Sequence, residues 1–127
     1  MTVYLLDTSV IIDVLNAKNR RDELLKELLG QGHSLACCSI NVAEVYAGLR
    51  SKEEPRTRTF LESLDYLDIT WDIARQAGLL KRDYGRKGIT LSVTDTTLAA
   101  VAINHGCVFI TDNIKDFPMK ELILHTH

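Results

Sequence analysis

The sequence predicts an α/β fold, a single three-layer α/β/α domain over residues 1–127 with a short, mostly parallel central sheet between helices. Two observations predict it. Short apolar runs that are continuous rather than alternating mark strands buried on both faces. Segments with apolar residues at helical spacing alternate with these runs along the whole chain. A length of 127 residues suffices for one core and not for two.

The first strand is Val3 to Leu6, ended by Asp7-Thr8-Ser9, after which Val10, Ile11, Val14 and Leu15 follow a helical stripe. Leu24, Leu25, Leu28 and Leu29 mark a second helix over Asp22 to Leu29, which Gly30 and Gly32 stop. Ser34 to Cys38 is the second strand. Ser39 can cap a third helix whose stripe is Val42, Val45, Tyr46 and Leu49. Glu53-Glu54-Pro55 opens a fourth helix through Leu64, since acids suit the N-terminal dipole and Pro the first turn. Tyr66 to Ile69 reads as a third strand, and Trp71 to Tyr84 as a helix ended by Gly85 and Gly88. Ser92-Val93-Thr94-Asp95 has the capping-box pattern ahead of Leu98 to Ile103. Cys107 to Ile110 is the fourth strand and Leu122 to Leu124 the last.

Composition narrows the function classes. With 46% hydrophobic and 25% charged residues and two prolines, the chain is not disordered, collagen-like or a disulfide scaffold. Fifteen basic against seventeen acidic residues give a net charge of −2, so any grip on nucleic acid must be local. The three cysteines are odd in number, and Cys37 and Cys38 are adjacent in a strand and point to opposite faces, which predicts reduced thiols. The histidines His33, His105, His125 and His127 are scattered, the last two at an end expected to fray, and no Cys/His cluster has zinc spacing. His105-Gly106 reads as a helix C-terminus. The N-terminal apolar run stops at Asp7, which predicts a cytoplasmic protein with no membrane association. P-loop, GxGxxG, HExxH and GxSxG signatures are all missing. Lys81, Arg82, Arg86 and Lys87 surround Tyr84, either as cations suited to a helix C-terminus or as a grip on an RNA backbone with Tyr84 stacking a base.

The carboxylates carry more. In open parallel α/β sheets ligands bind outside the carboxyl ends of the strands. Asp7 follows the first strand, Asp112 follows the fourth, Glu44 lies in the helix after the second, and Asp95 opens the helix before the fourth. Each has a purely structural explanation as well: Asp7 as an N-cap, Asp95 as the capping-box acid, Asp112 in a turn, Glu44 as a solvated side chain. Glu44 stands apart because its neighbours Val42, Ala43, Val45 and Ala47 are apolar or small. Carboxylates brought to ~4 Å at an effective dielectric near 20 repel by about 4 kcal/mol per pair. A cation or protons must compensate. Oxygen ligands without Cys or His suit Mg²⁺ or Mn²⁺.

Four segments together, Leu6-Asp7-Thr8-Ser9-Val10-Ile11, Asn41 to Leu49 around Glu44, Thr94-Asp95-Thr96-Thr97-Leu98-Ala99-Ala100, and Thr111 to Phe117, resemble the PIN-domain nucleases. The closest likeness is to the VapC toxins of type II toxin–antitoxin modules, over almost the whole chain. The resemblance implies Mg²⁺-dependent cleavage of RNA, frequently tRNA or rRNA, inhibition by a small cognate antitoxin, and a homodimer or a larger assembly with that antitoxin. Asp7, Glu44 and Asp95 match the family's three most regular acids. In the segment T-x-[ND]-x-x-D-F, Asn113 takes the third place, so Asp116 and Asp112 both stand as the fourth acid, with Asp116 favoured. Thr8 and Ser9 resemble the hydroxyl positions beside the first acid. Two rival readings are a PIN-like module that grips RNA or protein without cutting, and a phosphoryl-transfer domain with Asp7 as nucleophile. The latter lacks the second Asp two residues after the first.

Overall fold

The computed structural model describes residues 1–125. His127 lies outside them. Five strands form one wholly parallel sheet in the order β3-β2-β1-β4-β5, with β1 at Val3–Leu6, β2 at Ser34–Cys37, β3 at Asp65–Tyr66, β4 at Val108–Ile110 and β5 at Ile123–Leu124. Six helices connect them: α1 Thr8–Leu15, α2 Arg21–Gly30, α3 Ser39–Ala47, α4 Glu54–Glu62, α5 Trp71–Arg86 and α6 Val93–His105. The expected α/β class with a parallel sheet and flanking helices is what the chain adopts.

The period of two along each strand divides the core into two halves. Leu5, Ala36 and Phe109 join a cluster with Ile73 and Ala77 of α5 and Leu98 to Ala102 of α6. Leu6, Cys37 and Ile110, one residue on in each strand, join Val10 and Ile11 of α1, Leu25 and Leu28 of α2, and Leu61 of α4. Cys37 and Cys38 accordingly fall in different halves, and all three cysteines are free and buried. Burial and the neighbouring Cys38 push the Cys37 thiol up to about 11, which keeps it protonated and unreactive.

Several boundaries differ from the expectation. The third strand is Asp65–Tyr66, not Tyr66 to Ile69: Leu67 gives one last backbone bond to Cys37 O, where β2 gives way to α3. Helix α5 runs through Gly85 to Arg86, and Gly88, at φ +83°, marks its true end. Helix α6 does begin where the capping box puts it, at Val93 with Ser92 as its N-cap. Cys38, not Ser39, is the N-cap of α3, and α4 starts at Glu54 after a short 3₁₀ turn over Ser51–Glu53. The end at His125 is tied down: its N–H donates to Phe109 O at 2.8 Å, and its ring meets that of Tyr4 edge-on. No helix among the described residues is long and apolar enough to cross a membrane.

The chain lays down β1, β2 and β3 in one direction and then returns to place β4 and β5 on the other side of β1. The boundary between β1 and β4 is therefore a switch point, where crossovers leave in opposite directions and a crevice opens beyond the strand ends. Asp7 N–H donates to Ile110 O at 2.9 Å, so the residues that follow these two strands are held side by side there.

Candidate active site

Asp7 is both an N-cap and a buried acid. One oxygen, Oδ1, accepts the Thr8 N–H at 2.8 Å and the other, Oδ2, accepts the Thr111 hydroxyl at 2.7 Å, with 7% of the residue exposed. Thr111 in turn accepts the Asn113 N–H at 2.9 Å. Burial raises the Asp7 carboxyl above its ordinary value, the two hydrogen bonds pull it down, and the charges of Asp95 and Glu44 raise it again.

Glu44 is exposed in the middle of α3, but a buried relay reaches it. Asn41, wholly buried, accepts the Cys38 N–H and spends its own amide hydrogens on Leu6 O at 3.0 Å and Thr8 Oγ1 at 3.1 Å. Because Thr8 accepts from Asn41, its single hydroxyl hydrogen is left for Glu44 Oε1, at 2.6 Å. The direction of the relay is thereby fixed. It ties the ends of β1 and β2 to the acid on α3.

Asp95 sits in the first turn of α6, where its N–H donates to Ser92 Oγ at 3.1 Å. Burial raises its carboxyl, and the charges of Asp116 and Glu44 add to the rise. Asp116 ends a 3₁₀ turn over Ile114–Asp116, closed by its N–H to Asn113 O at 2.9 Å. Asp7, Glu44, Asp95 and Asp116 thus form one connected group of like charges. Asp112 is placed otherwise: its carboxylate pairs with the guanidinium of Arg21 at the start of α2, a side chain only 7% exposed.

Thr8 and Ser9 also divide in role. Thr8 is the relay, whereas Ser9 Oγ is buried in the first turn of α1 without a hydrogen-bond partner among the described residues. The basic residues near Tyr84 hold structure too: the Tyr84 hydroxyl donates to Pro118 O at 3.2 Å, and Lys87 Nζ lies 5.3 Å from its ring centre. Lys87 therefore lies over the Tyr84 ring while the hydroxyl is tied to the segment after Phe117.

Sequence reasoning assigned no role to Asn41 or Thr111. A fully polar amide in the apolar first turn of α3 was the available signal for Asn41, since such a group must be satisfied when buried. Thr111 heads the T-x-[ND]-x-x-D-F segment, but its bond to Asp7 could not be read locally, because the partner lies 104 residues away.

The donor set fits a hard divalent cation. The groups that act on one another here are carboxylates, joined by the hydroxyls of Thr8 and Thr111, and Ser9 Oγ is a buried hydroxyl without a partner among the described residues. Among the described residues no three Asp, Glu, His or Cys side chains are close enough to grip one ion directly.

A PIN domain family model matches residues 4–118. Ribonuclease VapC19 of Mycobacterium tuberculosis is 31% identical over 115 residues, covering 91% of this chain and 92% of the relative. A tRNA(fMet)-specific endonuclease VapC of Salmonella typhimurium is 26% identical over 123 residues, covering 92% and 91%. Among solved structures, VapBC2 from Rickettsia felis, bound to a DNA fragment from its promoter, superposes with a TM-score of 0.83 at 27% identity over 98% of both chains.

Proposed function

The chain belongs to the PIN-domain family, and within it to the VapC ribonuclease toxins of toxin–antitoxin systems, and from that membership we propose a Mg²⁺-dependent endoribonuclease that cuts tRNA or rRNA at the acidic site. The observation that carries this reading is the single group of like charges, Asp7, Glu44, Asp95 and Asp116, at the switch point of the sheet. One or two of these carboxylates would hold Mg²⁺ or Mn²⁺ directly, and the others would reach it through its waters. When bound, the ion polarises the scissile phosphate and lowers the pKa of an attacking water.

The remaining steps fall to the chain itself. Thr111 and the Thr8 N–H keep the Asp7 carboxylate fixed and ionisable despite its burial. The Asn41–Thr8 relay restrains Glu44, which otherwise has the freedom of an exposed side chain. Asp112 is the lesser candidate for fourth acid, because Arg21 already neutralises it.

The relative that acts on tRNA(fMet) supports tRNA as the substrate class. Solved complexes of VapBC2 and of a toxin–antitoxin pair from Klebsiella pneumoniae support a small cognate antitoxin as partner. Apolar grooves beside α4, one of them lined by Val14, Leu25, Leu29, Leu35, Phe60 and Leu64, offer it a surface. Exposed Trp71, Val93 and Ile123 leave apolar area for a second copy of the chain, and light scattering at micromolar concentration tests the homodimer. The deciding experiment incubates the purified chain with labelled tRNA and rRNA, with Mg²⁺ and with EDTA. Wild type cuts only with Mg²⁺, and Glu44→Gln does not cut. EDTA-sensitive cleavage retained by Glu44→Gln removes Glu44 from the site.

A further inference from the structure

Helix α5 carries two polar side chains, three residues apart and therefore neighbours on one face, that both reach backbone carbonyls outside the helix. Lys81 Nζ donates to Leu91 O, and Tyr84 Oη donates to Pro118 O. Leu91 directly precedes Ser92, whose hydroxyl accepts the Asp95 N–H. Pro118 follows Phe117, a side chain 2% exposed in the core, and Asp116 comes immediately before it. One turn of α5 therefore holds the flank of Asp95 with one residue and the flank of Asp116 with the other.

These two acids lie on segments far apart in sequence and carry like charges that act on each other. Like charges separate when the backbone beneath them can yield, and the segments that bear them are a helix terminus and a short 3₁₀ turn. We propose that Lys81 and Tyr84 are positioning residues that set the spacing of Asp95 and Asp116, and through it the affinity of the site for a divalent cation. The proposal rests on the reading of these acids as the cation site. It assigns the α5 pair a role distinct from gripping RNA: the Lys81 ammonium is committed to a carbonyl, and the Tyr84 hydroxyl to another. Groups that orient metal ligands from behind typically change metal affinity by about 10–100-fold when removed.

The test uses the full chain and Mn²⁺ alone, with affinity read from the electron paramagnetic resonance signal of the free ion. Tyr84→Phe removes only the hydroxyl and keeps the packed ring; Lys81→Met keeps most of the stem. Each is expected to bind Mn²⁺ about 10-fold more weakly than wild type, with an altered bound-ion linewidth. Arg75→Met, an exposed cation on the same helix, is expected to match wild type, and Asp95→Asn sets the scale for a lost ligand. Circular dichroism without metal separates unfolding from altered spacing, and Tyr84→Phe is the variant least able to unfold the chain. Binding by both brace variants within twofold of wild type, while Asp95→Asn loses the ion, overturns the positioning role and leaves the cation site standing. If Asp95→Asn also binds as wild type does, the cation-site reading fails and the positioning role with it.

Discussion

Replacing Thr8 by Val tests the buried relay, because the two side chains have nearly the same shape and helix propensity while only one has a hydroxyl. In the protein that hydroxyl accepts from Asn41 Nδ2 at 3.1 Å and donates to Glu44 Oε1 at 2.6 Å. Glu44 is exposed, so water replaces the second bond and little stability goes with it. Asn41 is 0% exposed, and one of its amide hydrogens is left without an acceptor. A buried unsatisfied donor costs about 1–3 kcal/mol, so about 2 kcal/mol is expected for Thr8→Val. For a domain of this size that lowers Tm by about 6–10 °C, measured without metal by thermal or urea denaturation. Thr8→Ser, which retains the hydroxyl, should recover more than half of the loss. Cleavage by Thr8→Val should fall further than the unfolded fraction explains, since Glu44 loses its restraint. A Thr8→Val protein as stable as wild type within ~0.5 kcal/mol would refute the relay and the directional argument built on Asn41.

Asp7→Asn should stabilise the chain in the absence of metal, because Asn still accepts from the Thr8 N–H and Thr111 can reverse its hydroxyl, while the buried charge is gone; the same variant should lose most of the rise in Tm that Mg²⁺ gives wild type. The pH dependence follows in sign: Asp7 and Asp95 titrate above the ordinary 3.8 in the fold, so their ionisation opposes folding, and the wild type minus Asp7→Asn stability difference should be greatest below pH 3.8 and decline as pH rises through the folded values. Asp116→Asn should weaken Mn²⁺ binding and leave Tm unchanged or raised, whereas Asp112→Asn should lower Tm by withdrawing a charge from buried Arg21 and leave Mn²⁺ affinity within about twofold; titration calorimetry and melting of the pair decide the fourth acid, and the reverse pattern assigns it to Asp112.

What the sequence made legible was local. Apolar continuity placed β1, β2 and β4 to within a residue, and Asp7 and Asp95 were found because they sit at a strand end and a helix start, positions that primary structure marks. Gly85 misled, since a glycine inside a helix is a penalty of about 1 kcal/mol and not a stop, and α5 absorbs it while Gly88 takes the left-handed backbone. The third strand was overdrawn because Leu67 and Ile69 are apolar for packing on the core, while pairing depends on β2, which ends at Cys37. Motif spacing favoured Asp116 over Asp112 but kept both as candidates. The pairing of Asp112 with Arg21, 91 residues away, is a property of the packed fold that spacing does not show.

The arrangement of the acids also bears on how the fold tolerates them. Asp7 caps α1 and Asp95 lies in the first turn of α6, so each of these acids sits at a helix N-terminus, the positive end of a dipole. Each such end is worth about 0.3–1 kcal/mol to a nearby carboxylate. Two carboxylates brought within ~4 Å of each other repel by about 4 kcal/mol at an effective dielectric near 20. Helix ends therefore offset only part of such a repulsion, and the hydrogen bonds from Thr8 and Thr111 reach only Asp7 and Glu44 of the four acids. What the chain leaves uncompensated is negative charge on oxygen atoms at an open crevice, which is the deficit that a hydrated divalent cation fills.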